Sequence, residues 1–395
     1  MTTRPHLDDG PLRVVVAGGG VAGLETLVAL RGLVGHRVSL TLVAPQEHFV
    51  VRALELFEPF GVGRARRYPL AELTDDLDAT LVRDAVLRVQ RNERVVHLES
   101  GDEIPYDVLV LAVGAFARRA FDHGASVMPV HDADGLDAVV HDMSTGDAQR
   151  VAVVVPPACR WTLPAYELAL MLAAFTKPRQ LTVVTAEHEP LGAFGAPAAA
   201  LARAELAAAG VDLLTGVEAA VPASTLVALS PGARLTCDRI VALPLLTGPN
   251  CLGVPCDDEG FIVVDGAFRV AGADDVFAVG DATAGAYKQG GLASQQADVV
   301  ADQIAWRAGA EHPPRPYRPV LRGLLRTAGG PRYLRAEPPG GGGSAEVSDK
   351  CLWWPPSKIA ARWLTPWLAA RDVEARLVSP PRRLATGGIS RTPGA

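Results

Sequence analysis

Short apolar, β-branched runs alternate with stretches of helical periodicity through most of this chain. Leu12–Ala17 (LRVVVA) is apolar but for one arginine, the pattern of a strand buried on both faces. Leu24, Leu27, Val28 and Leu30 then share one face of a helix, and Val38–Val43 is a second strand. His48–Gly63 is rich in aromatic and apolar residues, and Tyr68–Leu81 reads as helical or irregular. Residues 85–100 (AVLRVQRNERVVHLES) alternate apolar and polar positions, which predicts a β-meander with one exposed face. Tyr106–Gly114 (YDVLVLAVG) is a further buried strand that returns the chain to the first sheet. A second series follows: strand Arg150–Val155, helix Leu163–Phe175, strand Leu181–Thr185, Ala-rich helix Pro197–Ala209 and strand Val211–Leu214. Strands at Arg239–Leu243, Phe261–Val264 and Val276–Val279 precede a helix opening at about Gly291. Such alternation implies an α/β protein with two parallel sheets.

The junction after the first strand carries the first chemistry. Gly18, Gly20 and Gly23 stand at G-x-G-x-x-G spacing between strand and helix. That pattern permits a tight turn, close approach of a pyrophosphate to the backbone, and close helix–sheet packing. The helix N-terminus adds free N–H groups and the positive dipole end. A ribose hydroxyl calls for an acid at the end of the second strand; the strand ends Ala44-Pro45-Gln46-Glu47, so Glu47 is the candidate, placed a little late. The corresponding turn of the second unit, Pro156-Pro157-Ala158-Cys159, has no glycine. Prolines lack the N–H donors a phosphate needs, and Cβ atoms block its approach. The second unit thus reads as a dinucleotide-binding fold whose phosphate loop has been replaced, with Glu187 just past its second strand as a surviving ribose contact.

Late in the chain, the strand Val276–Val279 runs into Gly280-Asp281 and then into AYKQGGLASQQADVV. An acid after a buried strand, followed by glycines and a helix start, suits a hydroxylated cofactor chain and an electron-rich ring, whose negative charge the helix dipole stabilises.

Taken together, the glycine fingerprint, LVLAVGA before the second unit and VFAVGDAT after it resemble the flavoproteins with two dinucleotide-binding domains, the pyridine nucleotide–disulfide oxidoreductase superfamily. Within it they are most similar to the branch of type II NADH dehydrogenases and sulfide:quinone oxidoreductases. The resemblance covers roughly residues 12–310. It implies two Rossmann-like domains of the three-layer, FAD/NAD(P)-binding type plus a C-terminal interface region. The implied division is 1–118 and 257–310 for the FAD domain, 119–256 for the second domain and 311–395 for the interface region. It also implies that Gly18, Gly20 and Gly23 hold the FAD pyrophosphate, with Gly114 and Gly280 at the strand ends. Asp281 would bind the ribityl hydroxyls, and Lys288 to Leu292, Gly291 included, would lie beside the isoalloxazine. NAD(P)H is a candidate substrate.

Charge adds one feature. From Glu311 onward there are 14 Lys+Arg against 6 Asp+Glu, so a basic tail follows an acidic body. Prolines 313, 314, 316 and 319 mark a linker, and Gly340–Gly343 a flexible loop. In CLWWPPSKIAARWLTPWLAAR, Ile359, Trp363 and Trp367 recur every four residues beside Lys358, Arg362 and Arg371. This amphipathic pattern over 353–371 suits either peripheral membrane contact or an interdomain or homodimer element. Thr365 and Pro366 mark a helix start. Met1–Gly10 is polar and does not read as a signal peptide, and no run of 18 apolar residues occurs, so a cytoplasmic protein is expected, at most peripheral on the cytoplasmic membrane face. The histidines show no metal spacing, and basic clusters such as Arg64, Arg66 and Arg67 read as solvated surface rather than a nucleic-acid site.

The five cysteines are scattered. Cys251 and Cys256 (C-x-x-x-x-C) lie too far along the chain for a redox disulfide facing the flavin. Cys159 precedes Leu163-Pro164-Ala165-Tyr166-Glu167 much as a redox cysteine does in sulfide:quinone oxidoreductases, and Cys351 is the one C-terminal candidate for its partner. A thiolate at Cys159 would gain from the helix dipole. The resulting expectation is an FAD-dependent oxidoreductase that passes electrons from NAD(P)H or sulfide through the flavin to a quinone-like acceptor, with Cys159, Cys351 and Lys288 as catalytic candidates. The alternative is a flavin-binding protein with a structural or partner-binding role and no turnover.

Overall fold

A computed structural model describes residues 10–127, 135–338 and 343–378, with side chains to 372. The chain opens with β1 (Leu12–Ala17), α1 (Val21–Val34), β2 (Val38–Val43), β3 (Ala79–Val82) and β4 (Val108–Leu111). It continues through β5 (Ala125–Ser126), β6 (Arg150–Val155), α2 (Leu163–Thr176), β7 (Gln180–Thr185), α3 (Ala196–Ala208), β8 (Val211–Leu214) and β9 (Arg239–Ala242). It returns with β10 (Val276–Ala278) and α4 (Gly290–Arg307) and ends in β11 (Leu321–Thr327), β12 (Gly330–Ala336), β13 (Ala345–Ser348) and α5 (Leu364–Val378).

Two five-stranded parallel sheets result, in the orders β10-β4-β1-β2-β3 and β5-β9-β6-β7-β8. Their central strands are buried on both faces, as continuous apolar runs require. Helices α1 and α4 cover one face of the first sheet; Leu24, Leu27 and Leu30 pack there with Ala297, Val300 and Ile304. The meander forms a separate antiparallel sheet, Val86–Gln90, Val95–Leu98 and Glu103–Pro105. The C-terminal strands β11-β12-β13 form an antiparallel sheet whose Leu321, Leu325 and Leu334 join the core of the second unit.

Several expectations need correction. Tyr106–Gly114 is strand only over β4; Gly114 turns away with φ +76°. Tyr68–Leu81 divides into a short strand Arg67–Pro69, a helix Leu70–Asp76 and the start of β3. Phe261–Val264 forms no ladder: Ile262 bridges Cys256 and Thr283, while Val264 bridges Val270, so each residue pairs with a different neighbour. Ile359, Trp363 and Trp367 do not share a helix, because α5 begins only at Leu364 and Pro355-Pro356 precede it. All three side chains nonetheless pack on the first core. Pro366 falls in the first turn of α5, where a missing N–H is tolerated. The loop expected at Gly340–Gly343 lies almost wholly outside the described residues.

Candidate active site

The glycine turn is built as its spacing demands. Gly18 has φ +113°, and a Cβ there would overlap the Ala112 carbonyl at the end of β4. A Cβ at Gly23 would overlap the Gly18 carbonyl oxygen, so α1 sits against the turn only because residue 23 is glycine. A Cβ at Gly20 would meet nothing within 4 Å. Gly20, the residue before α1, therefore faces open space at the helix N-terminus, a cradle that a pyrophosphate fits. Gln46, unlike Glu47, reaches the turn: its amide nitrogen lies 2.8 Å from the Cβ position of Gly19. The Glu47 carboxylate is exposed, 4.0 Å from His48.

On the other side of β1, β10 ends in Gly280, with φ +73°. Its N–H donates to Gln296 Oε1 (2.7 Å), which ties the turn to α4. Asp281 follows, half-buried; burial pushes its carboxyl up and the Lys288 charge opposes. Lys288 is buried and donates to the carbonyls of Asp281 (3.1 Å) and Thr283, with Nζ 3.8 Å from the Phe261 ring centroid. Burial pulls its pKa down to about 8, with Asp281 opposing. The helix N-terminus of α4 comes next, capped by Gln289, whose Oε1 accepts from Leu292 N–H (3.0 Å). Leu292 thus has its amide occupied and its side chain in the second core, while Gly290 and Gly291 form the first turn ahead of it. Ile359 of the C-terminal segment lies over that turn, 3.5 Å from the Cβ position of Gly290. Gly18, Gly20, Gly23, Gly280, Asp281, Lys288 and Gly291 thus lie at the carboxyl ends of β1 and β10 and at the N-termini of α1 and α4. Gly114 stands just past β4, with open space at its Cβ position.

The second unit is arranged differently. Ala158 takes φ +64° in the turn after β6. Thr162, preceding α2, donates to Glu187 Oε1 (3.1 Å), and Tyr166 donates to Glu187 Oε2 (2.5 Å). Burial raises the Glu187 carboxyl while these hydrogen bonds lower it. Both its oxygens are engaged within the protein, in place of the expected ribose contact. Leu163, the first residue of α2, and Phe194 pack so tightly on Gly323 of β11 that a Cβ there would lie 2.7 Å from each. Trp161 packs edge-on against Phe194.

The cysteines depart from expectation. Cys159 donates weakly to the Trp161 carbonyl (3.5 Å), and burial pushes its thiol up to about 11, opposite to a dipole-stabilised thiolate. Cys351 is exposed and its thiol faces the Trp353 carbonyl. Both are free, as are Cys251 and Cys256. Burial pushes the Cys251 thiol up to about 12.

Three features were missed in the sequence. Arg160 joins the glycine-free turn of the second unit to the loop between Asp281 and Lys288 of the first, donating to Gly285 O (2.7 Å) and pairing with Glu259. Lys358 forms a buried pair with Glu167 of α2 (2.5 Å) and donates to Leu324 O (2.6 Å). Glu25 of α1 holds the start of α5 by its carboxylate. Arg160 lies in a loop of no periodicity, and the partner of Lys358 stands 191 residues away in the chain. Glu25 occupies a core-facing helical position that would ordinarily be apolar, which was a readable signal.

The family model described as pyridine nucleotide-disulphide oxidoreductase matches residues 12–297. The chain belongs to that family, and it is an oxidoreductase with the family's Rossmann-type fold. Among individual proteins, it is 24% identical over 341 residues to an oxidoreductase, ptaL, of Pestalotiopsis fici, covering 79% of this chain and 87% of that one. It is 27% identical over 200 residues to a sulfide-quinone reductase of Aquifex aeolicus, covering 46% and 44%. The structure of sulfide:quinone oxidoreductase from Aquifex aeolicus superposes with a TM-score of 0.75 at 21% identity, covering 85% of this chain and 87% of that one.

Proposed function

We propose that this protein is an FAD-dependent oxidoreductase passing electrons from a small donor to a quinone-like acceptor. The observation that carries the reading is the open cradle at Gly20 set beside Asp281, Lys288 and the N-terminus of α4, all at the carboxyl edge of one parallel sheet. FAD held there would supply a two-electron carrier. Gly18, Gly20 and Gly23 would bind its pyrophosphate, with Gln46 reaching toward the ribose in place of Glu47. Asp281 would take the ribityl hydroxyls. The α4 N-terminus and Lys288 would favour negative charge on the reduced ring. Family membership supports FAD as the cofactor.

On the donor side, the glycine-free Pro156-Pro157 turn and the internal bonds of Glu187 argue against a tightly held NAD(P)H. Sulfide is the donor suggested by the sulfide-quinone relatives, but the high thiol pKa of Cys159 and the free state of Cys351 favour direct approach of the donor to the flavin over a Cys159–Cys351 relay. The test is direct. Purified protein should be yellow and release FAD on denaturation, and one small donor should bleach it under anaerobic conditions. A colourless protein that gains no FAD on incubation with it would overturn the cofactor; a yellow protein that no donor bleaches would favour a flavin-binding protein without turnover. A Cys159–Cys351 link in mass spectra of non-reduced protein, with loss of sulfide bleaching in Cys159→Ser, would restore the relay.

A further inference from the structure

Arg160 carries the glycine-free turn of the second unit across to the loop that precedes α4. Its carbonyl accepts from the Lys288 backbone N–H (3.4 Å). Its guanidinium donates to Gly285 O (2.7 Å) and pairs with Glu259. The guanidinium carbon also lies 4.7 Å from the centroid of the Phe261 ring. That ring is fully buried, and the Lys288 ammonium lies 3.8 Å from the same centroid. Two cations from different units therefore share one aromatic ring. The ring is itself held in place: Asp257 Oδ1 accepts from the N–H groups of Glu259 (3.0 Å) and Phe261 (2.8 Å). The next residue, Ile262, donates to Ala282 O (2.8 Å) and accepts from Ala284 N–H (3.0 Å). Lys288 Nζ reaches back to the carbonyls of Asp281 (3.1 Å) and Thr283. Loop 281–288 is thus held at residues 281 and 283 by the Lys288 side chain, and at 285 and 288 by Arg160.

We propose that Arg160 is a positioning residue: reaching over from the second unit, it fixes loop 281–288 so that the Lys288 ammonium stays buried on Phe261, just ahead of the α4 N-terminus. The inference rests on the function proposed above only for what Lys288 does there, which is to favour negative charge on a reduced ring. An ammonium leaves water at a cost unless its donors are satisfied and a favourable surface faces it. Two carbonyls and the Phe261 ring meet that need at Lys288, but only while the loop keeps its shape. Ala282, Ala284, Gly285 and Ala286 give the loop little side chain with which to hold itself by packing, so polar anchors must do it. Arg160 provides those on residues 285 and 288. A guanidinium suits the task, because its planar fork serves Gly285 and Glu259 together while it lies over Phe261. The charged groups facing Lys288 are Asp281 on its own loop, Arg160 on the turn before α2, and Asp257 and Glu259 on the loop that carries Phe261. Burial pulls the Lys288 pKa down to about 8; the three acids oppose and Arg160 adds to the fall. Removing the guanidinium takes away a like charge and admits water to the ammonium, and both changes raise that pKa.

The test reads the Lys288 amine directly and needs no donor, acceptor or turnover, so it can fail while the function proposed above stands, and the reverse. The full-length protein, as purified, is labelled with trace acetic anhydride from about pH 7 to about pH 11. Mass spectrometry then gives the acetylation rate at each lysine. The plateau at high pH reads exposure of the amine, and the midpoint reads its charge. In the wild type, Lys288 should label slowly with a midpoint near 8. In Arg160→Gln the plateau should rise at least about tenfold as the loop opens locally, and the midpoint should move toward the ordinary lysine value of about 10.4. Lys358, buried in its pair with Glu167, is the internal control and should stay unlabelled. Arg160→Lys retains a cation without the fork and should fall between the wild type and Arg160→Gln. Unchanged Lys288 labelling in Arg160→Gln would overturn the proposal. So would a rise shared by Lys358, which would give Arg160 a general structural role. Should Arg160→Gln fail to fold, Arg160→Lys decides alone, and labelling of its Lys288 at the wild-type rate and midpoint would overturn the proposal.

Discussion

Gly20 and Gly23, three residues apart, make opposite demands on the chain. A side chain at Gly23 runs into the Gly18 carbonyl, whereas one at Gly20 enters open space. Gly23→Ala should therefore destabilise the fold by about 1–3 kcal/mol, as overpacking does, while Gly20→Val should leave apoprotein stability within about 0.5 kcal/mol and lose FAD. Thermal melts with and without added FAD check both; a Gly20→Val protein that keeps full FAD would move the pyrophosphate elsewhere. Lys288 carries a second expectation at this scale. Its cation should favour the reduced ring and disappear as pH rises through about 8. The rate of flavin reduction should fall with pH around that value, and Lys288→Met should flatten the profile and lie near the high-pH limb throughout. The backbone demands at Gly18 and Gly23 were legible in the sequence because they follow from the strand–turn–helix spacing itself. The surroundings of Glu47, Glu187 and Cys159 were not, because they turn on which partner reaches them. Tyr166 and Thr162 claim Glu187, and Trp161 and the apolar second core bury Cys159.

Among the elements, the parallel strands and their helices followed from apolar period and turn chemistry, and most lie within a residue or two of the sequence reading. The segment 351–372 did not. Its four-residue spacing of Ile359, Trp363 and Trp367 reads as a helix, yet prolines and the Glu25 carboxylate keep it irregular to Trp363. The apolar side chains still reach one surface, the first core, because the segment is strapped down at both ends. At one end Lys358 pairs with Glu167; at the other Asp372 accepts from Tyr68 (3.1 Å) and pairs with Arg66. The Lys358–Glu167 pair is almost wholly buried, and removing one member leaves the other uncompensated. Lys358→Met should lower stability by about 3–5 kcal/mol, and the double variant with Glu167→Leu should recover much of that loss. Additive losses in a denaturant series would show that the two residues do not act as a pair.

At the scale of the whole molecule, the described part of the C-terminal region from residue 311 packs on both parallel units instead of standing apart. β11 buries Leu321 and Leu325 in the core of the second unit, and Ile359 of segment 355–364 lies over the α4 turn of the first. Trp363 and Trp367 are turned inward, so the aromatic face available for a membrane is reduced; Trp354, 83% exposed, is the large aromatic that still faces out. No helix among the described residues is long and apolar enough to cross a bilayer. Truncation before Cys351 should therefore lower Tm by several degrees, at about 2–4 °C per kcal/mol in the 150–250-residue range, and loosen FAD. Sedimentation of the full-length chain with anionic liposomes, lost on truncation and weakened by salt, would instead assign the segment to a lipid surface.

The proposed flavin site is open at Gly20, and the glycine-free turn of the second unit is proposed to hold NAD(P)H only loosely. Anaerobic stopped-flow reduction of the purified yellow protein tests both halves at once. The account predicts that a small donor such as sulfide bleaches the flavin, while NADH or NADPH does so slowly and saturates only on a millimolar scale, about −4 kcal/mol of binding. Rapid bleaching that saturates at micromolar NADH or NADPH would contradict it.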